Sequence, residues 1–297
     1  MAAGHYKQKR WKFAAEEFQA FLEHNPQHAS ALKARFYLGE SLLQLHRFDE
    51  AAQAFRTFAE HAPQDRLATK ARFRAGEAVY LAGHFDEAQT ELDRFYRDLP
   101  AEPLNAYVLP YLGDIAARKS DFKLSRQWYD EALRRFPQSP LADDCRFGLA
   151  RALEAQGEVD EARRLYLALA SKSRSAWADK AQFRLAASFY ASAEYDQALT
   201  AFQELLEDPR FAASPLRVKA ALAAGESLYQ LNRLDLAGQQ FEALLDEKSA
   251  GAEARYWLGL VQAARHDWLK AADTLRLAAE QSAGDEKLAA GALYQAG

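Results

Sequence analysis

Apolar and polar positions along the chain recur in blocks of about 37 residues. The clearest marker is a small residue, found at Ala14, Ala51, Ala88, Ser125, Ala162, Ala198, Ala237 and Ala271. The steps between successive markers are 37, 37, 37, 37, 36, 39 and 34. Three residues before each stands a large apolar side chain: Trp11, Phe48, Phe85, Phe122, Val159, Tyr195, Leu234 and Trp268. Four residues after each stands another: Phe18, Phe55, Leu92, Tyr129, Tyr166, Phe202, Phe241 and Leu275. From the second block onward, a glycine or alanine lies twelve residues before the marker, at Gly39, Gly76, Gly113, Ala150, Ala186, Gly225 and Gly259. Pro26, Pro63, Pro100 and Pro137 complete the pattern.

Offsets of −3, 0 and +4 fall on one face of a helix. The alanine column therefore predicts one helix per block and the glycine column a second, crossing close to it. Small residues allow the axes to approach, and the large columns fill the space on either side. A single pair exposes an apolar face, so neighbouring pairs must stack. The prediction is an all-α fold of antiparallel helix pairs with no strands. Blocks run roughly over 1–26, 27–63, 64–100, 101–137, 138–174, 175–210, 211–249 and 250–283, with a partial block at 284–297. Because the columns stay in phase, residues 1–297 are expected to form one domain.

Local chemistry adds detail. Ser139-Pro140-Leu141 and Ser214-Pro215-Leu216 predict serine N-caps followed by a first-turn proline. Asp49-Glu50, Asp86-Glu87 and Asp160-Glu161 predict acidic first turns of second helices, favoured by the helix dipole. Pro110 lies inside a first helix, where it removes a backbone bond at a cost of about 3 kcal/mol, so a bend is expected there. The 39-residue step around 207–218 predicts a longer connection. Neither end carries a polar cap, so the chain is expected to be a piece of a longer protein or to close by self-association.

The blocks resemble the tetratricopeptide repeat, a helix–turn–helix unit of 34 residues. In the second block the family's signature positions 7, 8, 20, 24 and 32 fall on Leu38, Gly39, Ala51, Phe55 and Pro63. RFDEAAQAF (47–55) and HFDEAQTEL (84–92) are similar to the family's turn and second helix. Position 4, often Trp in the family, is Arg35, Arg72 and Leu109 here. The resemblance implies a right-handed superhelical solenoid of about eight repeats. The longer period and openings such as ARFYLGE (34–40) resemble the bacterial envelope subgroup that includes the outer-membrane assembly lipoprotein BamD and the Tol-Pal coordinator YbgF. That likeness implies a periplasmic or outer-membrane-associated setting, with the cytoplasm as the alternative.

Composition narrows the function. The chain has 297 residues, with 38 basic and 42 acidic side chains and a net charge of −4, which disfavours nucleic-acid binding through a positive field. No apolar run is long enough to predict direct membrane insertion. No phosphate-binding loop, dinucleotide fingerprint, zinc-protease or nucleophile-elbow motif occurs. The seven histidines, His5, His24, His28, His46, His61, His84 and His266, are not spaced as metal ligands. Cys145 occupies a position held elsewhere by Ala34, Ala71, Ala181, Ala220 and Ala254, which predicts a small buried residue rather than a nucleophile. No catalytic residue, metal or cofactor is expected.

In the tetratricopeptide family the first helices line a concave surface through positions 2, 5, 9, 12 and 13. Position 5 here is Phe36, Phe73, Pro110, Phe147, Phe183, Leu222 and Tyr256, a row also suited to the core between repeats. Position 9 gives Glu40, Glu77, Asp114 and Glu226; position 12 gives Tyr80, Tyr190 and Tyr229; position 2 gives Lys33, Lys70, Lys180 and Lys219. The family's two-carboxylate clamp needs Lys at position 5 and Asn at position 9, which this chain lacks. The resemblance implies a non-catalytic scaffold binding a peptide or partner protein. Its groove would be lined by Glu40, Glu77, Asp114, Glu226, Tyr80, Tyr190 and Tyr229, with Lys33 and Lys70 able to neutralise the acids internally. The alternative is a regulatory or targeting segment of a larger enzyme or secretion complex.

Overall fold

The structure, a computed structural model, describes residues 1–172, 175–282 and 285–296. Among them are seventeen α-helices and no strand. Residues Met1–Gln156 form one compact unit and Gly157–Gly297 a second. The first contains α1 (Ala2–Lys7), α2 (Trp11–His24), α3 (Ala31–Gln44), α4 (Phe48–His61), α5 (Ala68–Leu81), α6 (Phe85–Asp98), α7 (Asn105–Arg118), α8 (Phe122–Arg135) and α9 (Ala142–Ala155). The second contains α10 (Val159–Ala170), α11 (Ala178–Ala191), α12 (Tyr195–Glu207), α13 (Arg217–Gln230), α14 (Leu234–Glu242), α15 (Gly251–Ala264), α16 (Trp268–Gln281) and α17 (Glu286–Ala296). Odd-numbered helices are the first helices of the repeats and even-numbered ones the second.

Within each unit every helix packs on the next, and α5 with α7, α7 with α9, α11 with α13, α13 with α15 and α15 with α17 also touch. First helices therefore stack on first helices, as a solenoid requires. The columns make this possible. Ala14, Ala51, Ala88, Ser125, Ala162, Ala198, Ala237 and Ala271 are all buried, and so is the whole +4 column. The glycines meet that +4 column directly. A Cβ built on Gly39 would lie 2.9 Å from Phe55, on Gly76 2.7 Å from Leu92, on Gly225 2.6 Å from Phe241 and on Gly259 2.6 Å from Leu275. Any side chain there would push the large residue out of the crossing.

The −3 column packs less deeply. Trp11, Phe48, Phe85, Phe122, Val159, Tyr195 and Leu234 are only partly covered, and Trp268 is 62% exposed. Each stands at the first residue of its second helix, where the turn leaves one side open. Position 5 belongs mainly to the core: Phe36, Phe73, Pro110, Phe147 and Leu222 are buried, and Phe36 packs edge-on against Phe55 and Phe58.

Every turn inside a pair uses one left-handed residue, five places before the alanine column. These are Lys9, His46, Gly83, Ser120, Gly157, Ala193, Asn232 and His266. Only two are glycine, so the remaining six carry a Cβ in a conformation that disfavours it. The acidic first turns of α4, α6 and α10 are as expected.

The serine caps need correction. The N-caps of α9 and α13 are Leu141 and Leu216. Ser139 and Ser214 stand two residues earlier, where each hydroxyl accepts the N–H of that leucine at 3.2 Å. The Ser-Pro pair closes a turn before the helix instead of starting it. Helix α7 runs without interruption through buried Pro110. The long connection after α12 carries a short 3₁₀ turn, Pro209–Phe211, that buries Phe211.

Candidate interaction surface

The seven residues implied for the groove all lie on first helices, and the structure gives them different surroundings in the two units. In the first unit the carboxylates are held by neighbours. Glu40, only 8% exposed, pairs with Lys70 Nζ and Arg74 Nε, each at 3.2 Å. The same guanidinium grips Glu77, one turn along α5. Glu77 also accepts the Tyr111 hydroxyl at 3.0 Å. Asp114 accepts the Tyr80 hydroxyl at 2.6 Å and the Arg118 guanidinium.

The result is a chain of links running α3, α5, α7, with the Tyr80 and Tyr111 rings 4.5 Å apart between them. Burial, reinforced by Asp114, pushes the Tyr80 hydroxyl up to about 12. Burial and Glu77 raise Tyr111 as well. Both phenols stay protonated and act as donors. Lys70 thus neutralises Glu40 as its repeat position suggested, while Lys33 is exposed. The position-6 residues Arg74 and Tyr111 escaped the sequence reading. Their signal was an unmatched polar residue three places before each acid, diluted because the same column holds Tyr37, Gly148, Ala223 and Trp257.

The second unit repeats the tyrosine–acid pairing with fewer cations. Tyr190 of α11 and Glu226 of α13 hold the register positions of Tyr80 and Asp114, and each shifts the other's titration. Burial and Glu226 push that phenol up to about 12. Burial is also the main cause that pushes the Glu226 carboxyl up to about 7; the Tyr190 hydroxyl opposes it and the Glu253 charge adds to it. Glu253 is itself raised, by burial and then by Asp285. Tyr229 meets Trp257 edge-on at 5.5 Å, and Trp257 stacks on Phe241 at 6.1 Å.

The opposite face also differs between units. Between α4 and α6, Arg56 bridges to Glu87 at 2.6 Å and Glu91 at 2.5 Å. Between α10 and α12 lies a cleft of about 470 Å³ with an apolar lining that includes Leu167, Leu185, Phe189 and Ala201. Arg163 borders it, stacked 4.2 Å above Phe189 and bonded to Glu194 and the Ser188 carbonyl. Further exposed apolar side chains, Trp268, Leu269, Leu277, Leu293 and Tyr294, lie on α16 and α17.

Cys145 is buried, and burial pushes its thiol up to about 12, so it is a packing residue with little thiolate. Among the described residues no group of three or more His, Cys, Asp and Glu could hold a metal ion. Among them, too, no helix is long and apolar enough to cross a membrane.

The sequence model described as "Tetratricopeptide repeat" matches residues 2–66, 73–140, 138–179, 183–252 and 239–286. This chain belongs to the tetratricopeptide repeat family. No curated protein matches it. Solved structures do. The C-terminal part of a TPR repeat-containing protein from Cytophaga hutchinsonii is 18% identical, with a TM-score of 0.67, over 86% of this chain and 98% of that one. A tetratricopeptide repeat protein from Parabacteroides merdae is 12% identical, with a TM-score of 0.58, over 89% and 98%. The apo form of RapI is 14% identical, with a TM-score of 0.67, over 99% and 94%. At these identities the likeness is one of tetratricopeptide fold.

Proposed function

We propose that this chain is a non-catalytic scaffold that holds a peptide or partner protein along its first helices. One observation supports this above others. Tyr80, Tyr190 and Tyr229 recur at one register position of the first helices, each partly exposed, above a core closed by the position-5 row. Tyrosine offers a flat apolar body with a polar tip and loses little entropy on binding. The surface thus combines rigid aromatic area with carboxylates at a regular spacing, which suits an extended or helical segment.

A photo-crosslinking amino acid placed at Tyr80, Tyr190 or Tyr229 tests the reading against the same probe at Thr57, Thr90 and Thr200 on second helices. Partners crosslinked from first-helix positions support the scaffold. Crosslinks confined to the second-helix positions overturn the assignment of the surface.

The same proposal places residues 1–297 in one continuous array and the protein in bacterial envelope assembly. The 37-residue period and the ARFYLGE-type openings support the envelope setting. Fractionation of cells making the full-length protein checks it, and a wholly cytoplasmic pool counts against it. Self-association through the exposed apolar residues of α16 and α17 belongs to this reading too, with sedimentation as its test.

A further inference from the structure

The first-helix surface repeats its architecture, so each repeat serves as a reference for the others. Around Glu40 the structure supplies Lys70 from position 2 of the next repeat and Arg74 from position 6. Around Asp114 it supplies Arg118, four residues further along the same helix. Glu226 stands in the same column as these two acids, and its register counterparts are different. Position 2 of the next repeat is Glu253, position 6 is Trp257, and the residue four places along is Gln230. All three cation positions have been replaced, one of them by a second carboxylate.

What remains is a half-built ion-pair site. Glu226 is half-buried, and the nearby Tyr190 hydroxyl is the group that favours its charged form. Neither Glu226 nor Glu253 has an ion pair among the described residues, whereas Glu40, Glu77 and Asp114 all do. Burial and the neighbouring Glu253 charge both raise the Glu226 carboxyl, as happens when a carboxylate lacks a counter-charge. Partly exposed Trp257, where Arg74 would be, turns an internal guanidinium donor into an aromatic wall that favours a cation above it.

We propose that Glu226, Glu253 and Trp257 receive an arginine side chain from a partner segment lying along the first helices of the second unit. The guest guanidinium takes the place that Arg74 fills internally in the first unit. A planar fork can bond two carboxylates and lie against an indole at once, which an ammonium cannot. The inference rests on the first helices being the binding surface and adds what that surface selects.

The test uses the full chain and four eight-residue peptides, uncharged at every other position and blocked at both ends, that differ only at a central residue: arginine, lysine, citrulline or norleucine. Saturation-transfer NMR measures binding up to millimolar concentration. The expected result is that the arginine peptide binds at least about tenfold tighter than the citrulline peptide, with lysine between them. Glu226→Gln removes the preference. Glu253→Lys restores the position-2 lysine of the first unit, so it folds at least as well as the parent and also loses the preference through an internal ion pair. Equal binding of the arginine and citrulline peptides overturns the arginine site. So does a preference that survives Glu253→Lys, or no binding of any peptide. Equal binding with first-helix crosslinks intact would leave the scaffold reading standing and remove only the arginine site.

Discussion

The ring of Tyr129 occupies the space that a side chain on Gly113 would need: a Cβ there would lie 2.7 Å from Cε1. Gly148 of the following first helix presses on the same ring from the other side. One second-helix tyrosine is thus held between two first helices, each reduced to bare backbone at the contact. Gly113→Ala is expected to lower stability by about 1–3 kcal/mol and Gly113→Leu by more, because neither glycine side offers the ring a way out. Urea unfolding followed by circular dichroism measures both. The partial rescue expected from Tyr129→Leu in the Gly113→Ala background separates overpacking from loss of helix contacts.

The left-handed turn column makes a second, opposite pair of changes. Gly157→Ala forces a Cβ into φ +82° and should cost about 1 kcal/mol. Ala193→Gly, at φ +59°, relieves the same strain and should be neutral or stabilising by up to about 1 kcal/mol. Midpoints from urea titrations decide it; equal losses at both sites would mean that side-chain contacts rather than backbone conformation govern the turn.

Arg74 serves two poorly exposed carboxylates at once. Arg74→Met should therefore cost about 2–4 kcal/mol, more than an exposed ion pair would. Adding Glu77→Gln should return part of that loss, since a neutral amide tolerates burial better than an unpaired carboxylate. The double-mutant cycle is the measurement, and simple additivity would mean that Arg74 and Glu77 do not act together.

Glu226 gives the chain a pH signature. Its native carboxyl is held up to about 7, against 4.5 for an unperturbed glutamate. Between those values the native chain keeps a proton that the unfolded chain has lost. Stability from this group therefore falls as pH rises from 4.5 to 7, and the penalty is complete above 7. Glu226→Gln removes the penalty, so its stability relative to the parent should rise by about 2 kcal/mol between pH 5 and pH 8. Parallel unfolding curves at the two pH values test this.

Cys145 should resist alkylation by iodoacetamide in the native chain at pH 8, because burial both shields the thiol and suppresses its ionisation. Mass spectrometry should find it modified only after denaturant is added.

The sequence made some columns legible and hid others for physical reasons. Alanine, glycine and +4 positions repeat in identity because packing limits volume at the same place in every pair. The left-handed column did not stand out, since the backbone sets that conformation and Lys9, His46, Ser120 and Asn232 all accept it. Ser139 and Ser214 suggested caps from local spacing alone, but the proline that follows each serves a turn, and the helix begins later. The acids at Glu40, Glu77, Asp114 and Glu226 were placed on the right helices. Their partners were harder to see, because an ion pair fixes only its two ends, and those ends change residue type from one repeat to the next.

The first unit is tied along two separate lines. The links through Glu40, Glu77 and Asp114 join first helices and are largely sheltered, while the links from Arg56 to Glu87 and Glu91 join second helices nearer to solvent, and Lys119, just after α7, reaches exposed Asp86 of α6. Salt screens exposed pairs far more than sheltered ones. Rising ionic strength should therefore slacken the second-helix edge while the first-helix edge keeps its length. The unit would behave like a strip bonded to a stiffer backing, opening on one side only, so that ions in the medium adjust the curvature of the first unit while Tyr80 and Tyr111 keep their partners.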